Sequence, residues 1–238
     1  MKPNAAAVRR QLKTMVNPEK AAFFPRFFKA GPGEYAEGDK FMGVIVPDQR
    51  KVAKQFRDLP QTEIDKLLND PIHECRLTGL LILVGQFERS KDQAQRKSIM
   101  QYYLSRTDAV NNWDLVDSSA HKILGKWLVD RKDRRVLDRL AKSKNMWEQR
   151  IAMVATYTLI KNGELDDTLR LAEKLLSHKH DLIHKAVGWM LREAGKQDDK
   201  VLLAFLDQHA HRMPRTMLRY SIEKLSDARR KKYLAAAN

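Results

Sequence analysis

The sequence predicts an all-α protein, a helical-repeat superhelix of HEAT-like or armadillo-like type with a concave basic face. Three observations carry this. None of the eight prolines lies between Pro71 and Pro214, and that span is rich in Leu, Ala, Lys, Arg and Gln. A proline inside a helix costs about 3 kcal/mol, so so long a gap favours helices. Apolar residues recur with the helical period: Val116, Ala120, Ile123, Leu124 and Trp127 share one face, as do Ile151, Val154, Ala155, Thr158 and Leu159. A weak internal repeat completes the picture. Blocks beginning at Ile72, Asn112, Met146, Ile183 and Arg215 share a helix-start character, and they are spaced by 40, 34, 37 and 32 residues. That is the period of two-helix solenoid units, and the consensus patterns of tetratricopeptide and ankyrin repeats are absent.

The chain reads as a single α-solenoid domain over 1–238. Residues 1–60 form a helical cap and a glycine-rich loop. Phe23, Phe24, Phe27 and Phe28 stand at helical spacing and are expected in the core, and Gly31-Pro32-Gly33-Glu34-Tyr35 followed by Gly38 is a loop signature. Residues 61–238 hold the stacked repeats. Breaks between helices are expected at Ser105 to Asp108, Asp130 to Asp133, Lys161 to Gly163 and Gly195 to Asp199. Asn111 or Asn112 caps the helix that follows. A bundle with evenly spaced loops is the competing arrangement.

Charge limits the partners. With 45 basic and 30 acidic residues the formal net charge is +15. Residues 121–238 carry 26 basic and 15 acidic side chains, whereas residues 61–120 carry 7 and 9. At 32% charged and 43% hydrophobic residues this is a folded basic protein, and a polyanion such as nucleic acid is the expected partner. The single Cys75 excludes a disulfide framework and a multi-cysteine zinc site, and reads as a buried thiol. No apolar run reaches a membrane span, and the start lacks the apolar stretch of a secretory signal. A soluble, cytoplasmic monomer with no membrane partner is expected.

Chemistry concentrates at 111–128. Trp113 and Asp117 are four residues apart and share a helical face at the edge of the buried stripe. The later repeats supply Trp147 with Arg150 and Trp189 with Arg192. If successive helices stack, Trp113, Asp117, Arg150, Trp189 and Arg192 can line one basic, aromatic concavity. Each is also explicable as packing or as an ordinary surface residue. His178, His180 and His184 lack a full zinc ligand set, and no phosphate-binding glycine pattern occurs, so neither metal nor cofactor is expected.

These residues carry a resemblance. The segments NPEKA at 17–21, FMGVIVPDQR at 41–50, NNWDLVDSS at 111–119, NMWEQRIA at 145–152, HDLIHKAVGWMLREAGK at 180–196 and MPRTMLRYSIEKL at 213–225 resemble the DNA alkylation repair family of AlkD-type glycosylases. The resemblance implies HEAT-like repeats and metal-free excision of cationic alkylpurines, such as 3-methyladenine and 7-methylguanine, from duplex DNA. It implies catalytic cleft positions at Trp113, Asp117 and Trp189, and DNA contacts at Arg150 and Arg192; Trp147, Lys185 and Arg219 are further expected DNA contacts. The chain departs from some relatives at Asn112-Trp113, where they have paired tryptophans, and at Ile45-Val46, where they have polar residues. The competing function is a non-catalytic HEAT-repeat module that binds DNA or protein. A binder of polyanions has no use for an acid aimed at its ligand, so Asp117 discriminates the two.

Overall fold

A computed structural model describes residues 3–236. The described residues are helical throughout apart from turns, loops and one isolated parallel bridge between Lys40 and Ile72. The chain divides into two compact units, Met1–Ser119 and Ala120–Asn238.

The first unit contains α1 (Ala5–Lys13), α2 (Pro18–Phe27), α3 (Val46–Gln55), α4 (Gln61–Leu68), α5 (His73–Arg89), α6 (Gln93–Ser105) and most of α7 (Trp113–Ala120). Sequence chemistry sets the helix starts. The Asn17 side chain accepts from Lys20 N at 3.0 Å with Pro18 in the first turn, and Asp92 caps α6 by accepting from Ala94 N at 2.9 Å. The core helix is α5. Leu77, Leu80, Ile82, Leu83 and Phe87 are all buried, and α3, α4 and α6 pack against it. A helix that is apolar all round belongs in an interior, which explains why α5 shows so little amphipathic patterning.

The loop between α2 and α3 is held from within. The buried Glu74 carboxylate accepts from the amides of Met42, Gly43 and Val44, at 2.7–3.2 Å. Gly43 has φ +81°, and a Cβ there would lie 2.1 Å from the Asn17 carbonyl oxygen, so glycine is required by conformation and by space.

The second unit continues the helical run of α7 through a π-helical turn, His121–Gly125, and α8 (Lys126–Leu128). It then contains α9 (Arg135–Ala141), α10 (Met146–Lys161), α11 (Asp166–Lys174), α12 (Asp181–Gln197), α13 (Asp199–His209), α14 (Arg215–Ser221) and α15 (Asp227–Ala236). Here the repeat is explicit. α10 packs on α9 and on α12, and α12 packs on α11, α13 and α14, so α10, α12 and α14 form an inner layer. Their contact depends on small residues. A Cβ at Gly188 would lie 2.5 Å from the Met217 carbonyl oxygen, and one at Gly125 would lie 2.4 Å from that of Ala155.

Three expectations are corrected. Phe28 is buried, but Phe23 and Phe27 are 51% and 47% exposed, because α2 has solvent on that side. The π turn shifts the helical phase, so Trp127 leaves the buried face of Val116, Ala120, Ile123 and Leu124 and is half-buried under Arg131, 3.6 Å from its ring centre. Gly195 lies inside α12 and not in a break. A Cβ there would lie 2.4 Å from a Leu202 methyl, so this glycine admits α13 and the helix ends at Gln197.

Candidate functional site

Trp113 opens α7, and the Asn112 side chain accepts from its amide at 2.8 Å. The indole is half-buried in an aromatic cluster. Phe28 stacks on it with centroids 5.5 Å apart and an interplanar angle of 24°, and Phe27 meets it edge-on at 5.7 Å. Phe41 stacks on Phe28 from another direction at 5.3 Å. Asp117 follows one helical turn later and is half-buried. It lies close enough to buried Tyr103 that its charge, after burial itself, helps hold the phenol in its neutral form. Tyr103 and Ser119 are hydroxyl partners at 3.0 Å, which fixes the face of α7 opposite the solvent.

Beneath this cluster is a charged network that the sequence reading missed. His73 is buried and sits between two carboxylates: Nδ1 is 3.1 Å from Asp39 Oδ2 and Nε2 is 2.8 Å from Asp114 Oδ2. Arg76 donates to Asp39 Oδ1 at 2.7 Å and to the Asp70 carbonyl at 3.1 Å. Burial alone would lower the His73 pKa. The charge and hydrogen bond of Asp114, with the hydrogen bond of Asp39, overcome it and raise the value to about 9, so the ring is an imidazolium at neutral pH. Asp39 is likewise desolvated, but His73 and Arg76 hold its carboxyl below the usual range. In sequence terms Asp39 and Asp114 are 34 and 41 residues from His73, so no local pattern joins them.

The second unit presents Trp189, half-buried on α12, against Tyr157 of α10 with centroids 5.8 Å apart. Tyr157 also meets His121 edge-on at 5.2 Å and carries the Lys161 ammonium 5.2 Å from its ring centre. The Thr158 hydroxyl donates to the His121 carbonyl at 2.6 Å, which ties the π turn to α10.

The cationic residues expected to touch DNA differ in availability. Arg219 is exposed, and Lys185 is partly exposed and paired with Asp181 at 2.8 Å. Arg192 is spent largely within the fold, paired with Glu223 and 3.5 Å from Glu193. Arg150 is only 5% exposed and donates to the Leu182 carbonyl at the start of α12. Trp147 is 8% exposed, because it falls in the first turn of α10 on the side that faces the unit's interior. His180 Nδ1 accepts from the Leu182 amide at 3.2 Å as the cap of α12, and among the described residues no group of three acidic, histidine or cysteine side chains could hold a metal ion.

A family model described as DNA alkylation repair enzyme matches residues 8–225. The chain belongs to that family. As a DNA alkylation repair protein it also resembles a solved structure described as a predicted DNA alkylation repair enzyme from Enterococcus faecalis. The two share 17% identity with a TM-score of 0.69, over 90% of this chain and 98% of the other, a likeness of fold. No curated protein matches the chain. Among the described residues no helix of this repair protein is long and apolar enough to cross a membrane.

Proposed function

We propose that this member of the DNA alkylation repair family is a monofunctional DNA glycosylase. It hydrolyses the N-glycosidic bond of cationic N-alkylated purines, 3-methyladenine and 7-methylguanine, in duplex DNA. The observation that carries the reading is the pairing of Trp113 with Asp117 on one turn of α7, an aromatic face and a carboxylate side by side in a chain of charge +15.

An alkylated purine already carries a positive charge and leaves readily. As the bond to C1′ breaks, positive charge moves to the sugar as an oxocarbenium ion. A carboxylate about 4 Å away contributes about 4 kcal/mol at an effective dielectric of about 20. An aromatic face such as that of Trp113 contributes about 1–2 kcal/mol. The sum, about 5–6 kcal/mol, corresponds to about 10⁴-fold in rate. That suffices for a labile cationic lesion and not for a neutral base. Asp117 also orients the attacking water and takes its proton. Such a mechanism asks the protein to grip backbone and sugar and needs no pocket for the base.

The test is release of free methylated base from alkylated duplex DNA, followed chromatographically, with undamaged and uracil-containing duplexes as controls. Release of both alkylpurines and none of uracil is expected. Tight DNA binding without release from any alkylated duplex would leave a binding module instead.

A further inference from the structure

We propose that His73 is a positioning residue for this reaction: clamped between Asp39 and Asp114, it fixes the first turn of α7 and so the direction in which Trp113 and Asp117 face the substrate. The inference rests on the reading of Trp113 and Asp117 as the reacting face.

The geometry is a chain of contacts with Trp113 at its end. Asp114 is the residue after Trp113 and lies three before Asp117, so a bond to its carboxylate holds the backbone that bears both. The same imidazole lies under Phe28 with centroids 4.7 Å apart, and Phe28 stacks on Trp113 at 5.5 Å. Phe41 packs on both Phe28 and His73, at 5.3 and 5.2 Å. His73 therefore reaches Trp113 twice, through the backbone beside Asp114 and through the ring of Phe28. The other end of the clamp is Asp39, in the glycine-rich segment, where Arg76 supplies the second cation.

The charges are matched to this task. Two carboxylates face one imidazolium, and Arg76 on the same helix balances the second of them. Asp39, Asp114 and Arg76 are the charged groups that act on the ring, and Phe28 and Phe41 close its remaining sides. A purely apolar filler would support the stack but could not hold Asp114. A neutral histidine could donate to only one carboxylate, whereas the imidazolium donates to both. Loss of its proton releases one end of the clamp, and the direction of its pKa places that release above neutral pH. Small displacements matter here, since a misplacement of about 1 Å can cost about 100-fold in rate.

The experiment compares full-length wild type, His73→Gln and Asp39→Asn. Single-turnover release of 7-methylguanine, affinity for undamaged duplex and circular dichroism are measured on the same samples. Both variants are expected to bind duplex within about twofold of wild type and to release base at least about tenfold more slowly, within the range that misplacement produces. The wild-type rate, corrected for spontaneous release, is expected to fall as pH rises through about 9, and His73→Gln is expected to lack that fall. Wild-type release by both variants would overturn the positioning role and leave the glycosylase reading intact. Loss of fold or of DNA affinity in step with rate, in both variants, would make the network a folding element and equally overturn it. Absence of release by the wild-type protein would fail the glycosylase reading itself, and this proposal with it.

Discussion

Asp117 is the residue whose charge the proposed chemistry uses most directly. Asp117→Asn keeps the shape and removes the charge that opposes an oxocarbenium ion. The lost interaction of about 2–4 kcal/mol predicts excision about 30- to 1000-fold slower, with DNA affinity unchanged or higher because one repulsion toward phosphate is gone. Single-turnover rates and binding isotherms measured together check this. A wild-type rate for Asp117→Asn would remove the catalytic role. The pair was legible in the sequence because Trp113 and Asp117 lie one turn apart on a single helix, where spacing alone places them on one face. Their support was not. Asp114 beside them passes for an ordinary first-turn acid, and its partner His73 is 41 residues away, so only the fold joins them. The phenylalanines at helical spacing were legible as a stripe, but spacing cannot say which side of α2 is covered. Phe28 meets Trp113 and is buried, while Phe23 and Phe27 keep about half their surface in solvent, Phe27 with an edge contact to Trp113.

At the level of elements, the repeat was readable because each block at Ile72, Asn112, Met146, Ile183 and Arg215 falls at or within two residues of a helix start. The structure begins these helices at His73, Trp113, Met146, Asp181 and Arg215. What periodicity could not express is how closely neighbours approach. Gly188 in the middle of α12 is a poor helix former, and its reason is the Met217 carbonyl and Tyr220 Cβ of α14, each 2.5 Å from where a Cβ would stand. Gly188→Ala must push α12 and α14 apart. A loss of about 1–3 kcal/mol in urea unfolding is expected, the usual penalty of overpacking, even though alanine has the higher helix propensity. Stabilisation by this change would mean that the two helices separate without cost. The π turn was equally hidden. A residue more per turn at His121–Gly125 is compatible with the same apolar pattern up to Leu124, and only the displaced Trp127 betrays it. The Thr158 hydroxyl on the His121 carbonyl shows what stabilises the turn from outside.

For the whole molecule the decisive quantities are charge and its dependence on solution conditions. The raised pKa of His73 makes the protonated form the stable one in the fold. Its contribution to stability is therefore complete below about pH 6.5 and declines as pH rises through about 9, while the stability that the depressed pKa of Asp39 adds is present above the ordinary carboxylate range and is lost as pH falls below it. Thermal melts are expected to show a decline between pH 6.5 and 9 that His73→Gln lacks. The net charge was fully legible in the sequence, but which cations face outward was not. Arg150 and Arg219 look alike as letters, yet one is buried on the Leu182 carbonyl and the other is exposed. Binding of duplex DNA is expected to weaken with salt by about 0.9 log unit per log unit of salt for each phosphate neutralised. Arg219→Ala is expected to lower that slope by about one at an unchanged melting temperature, because an exposed arginine contributes charge and little packing. Arg150→Ala is expected to lower the melting temperature as well, since it removes a buried side chain together with its hydrogen bond to the Leu182 carbonyl. Fluorescence anisotropy from about 50 to 200 mM salt, read beside thermal melts, separates the two behaviours, and a slope that neither substitution changes would place the phosphate contacts on other residues.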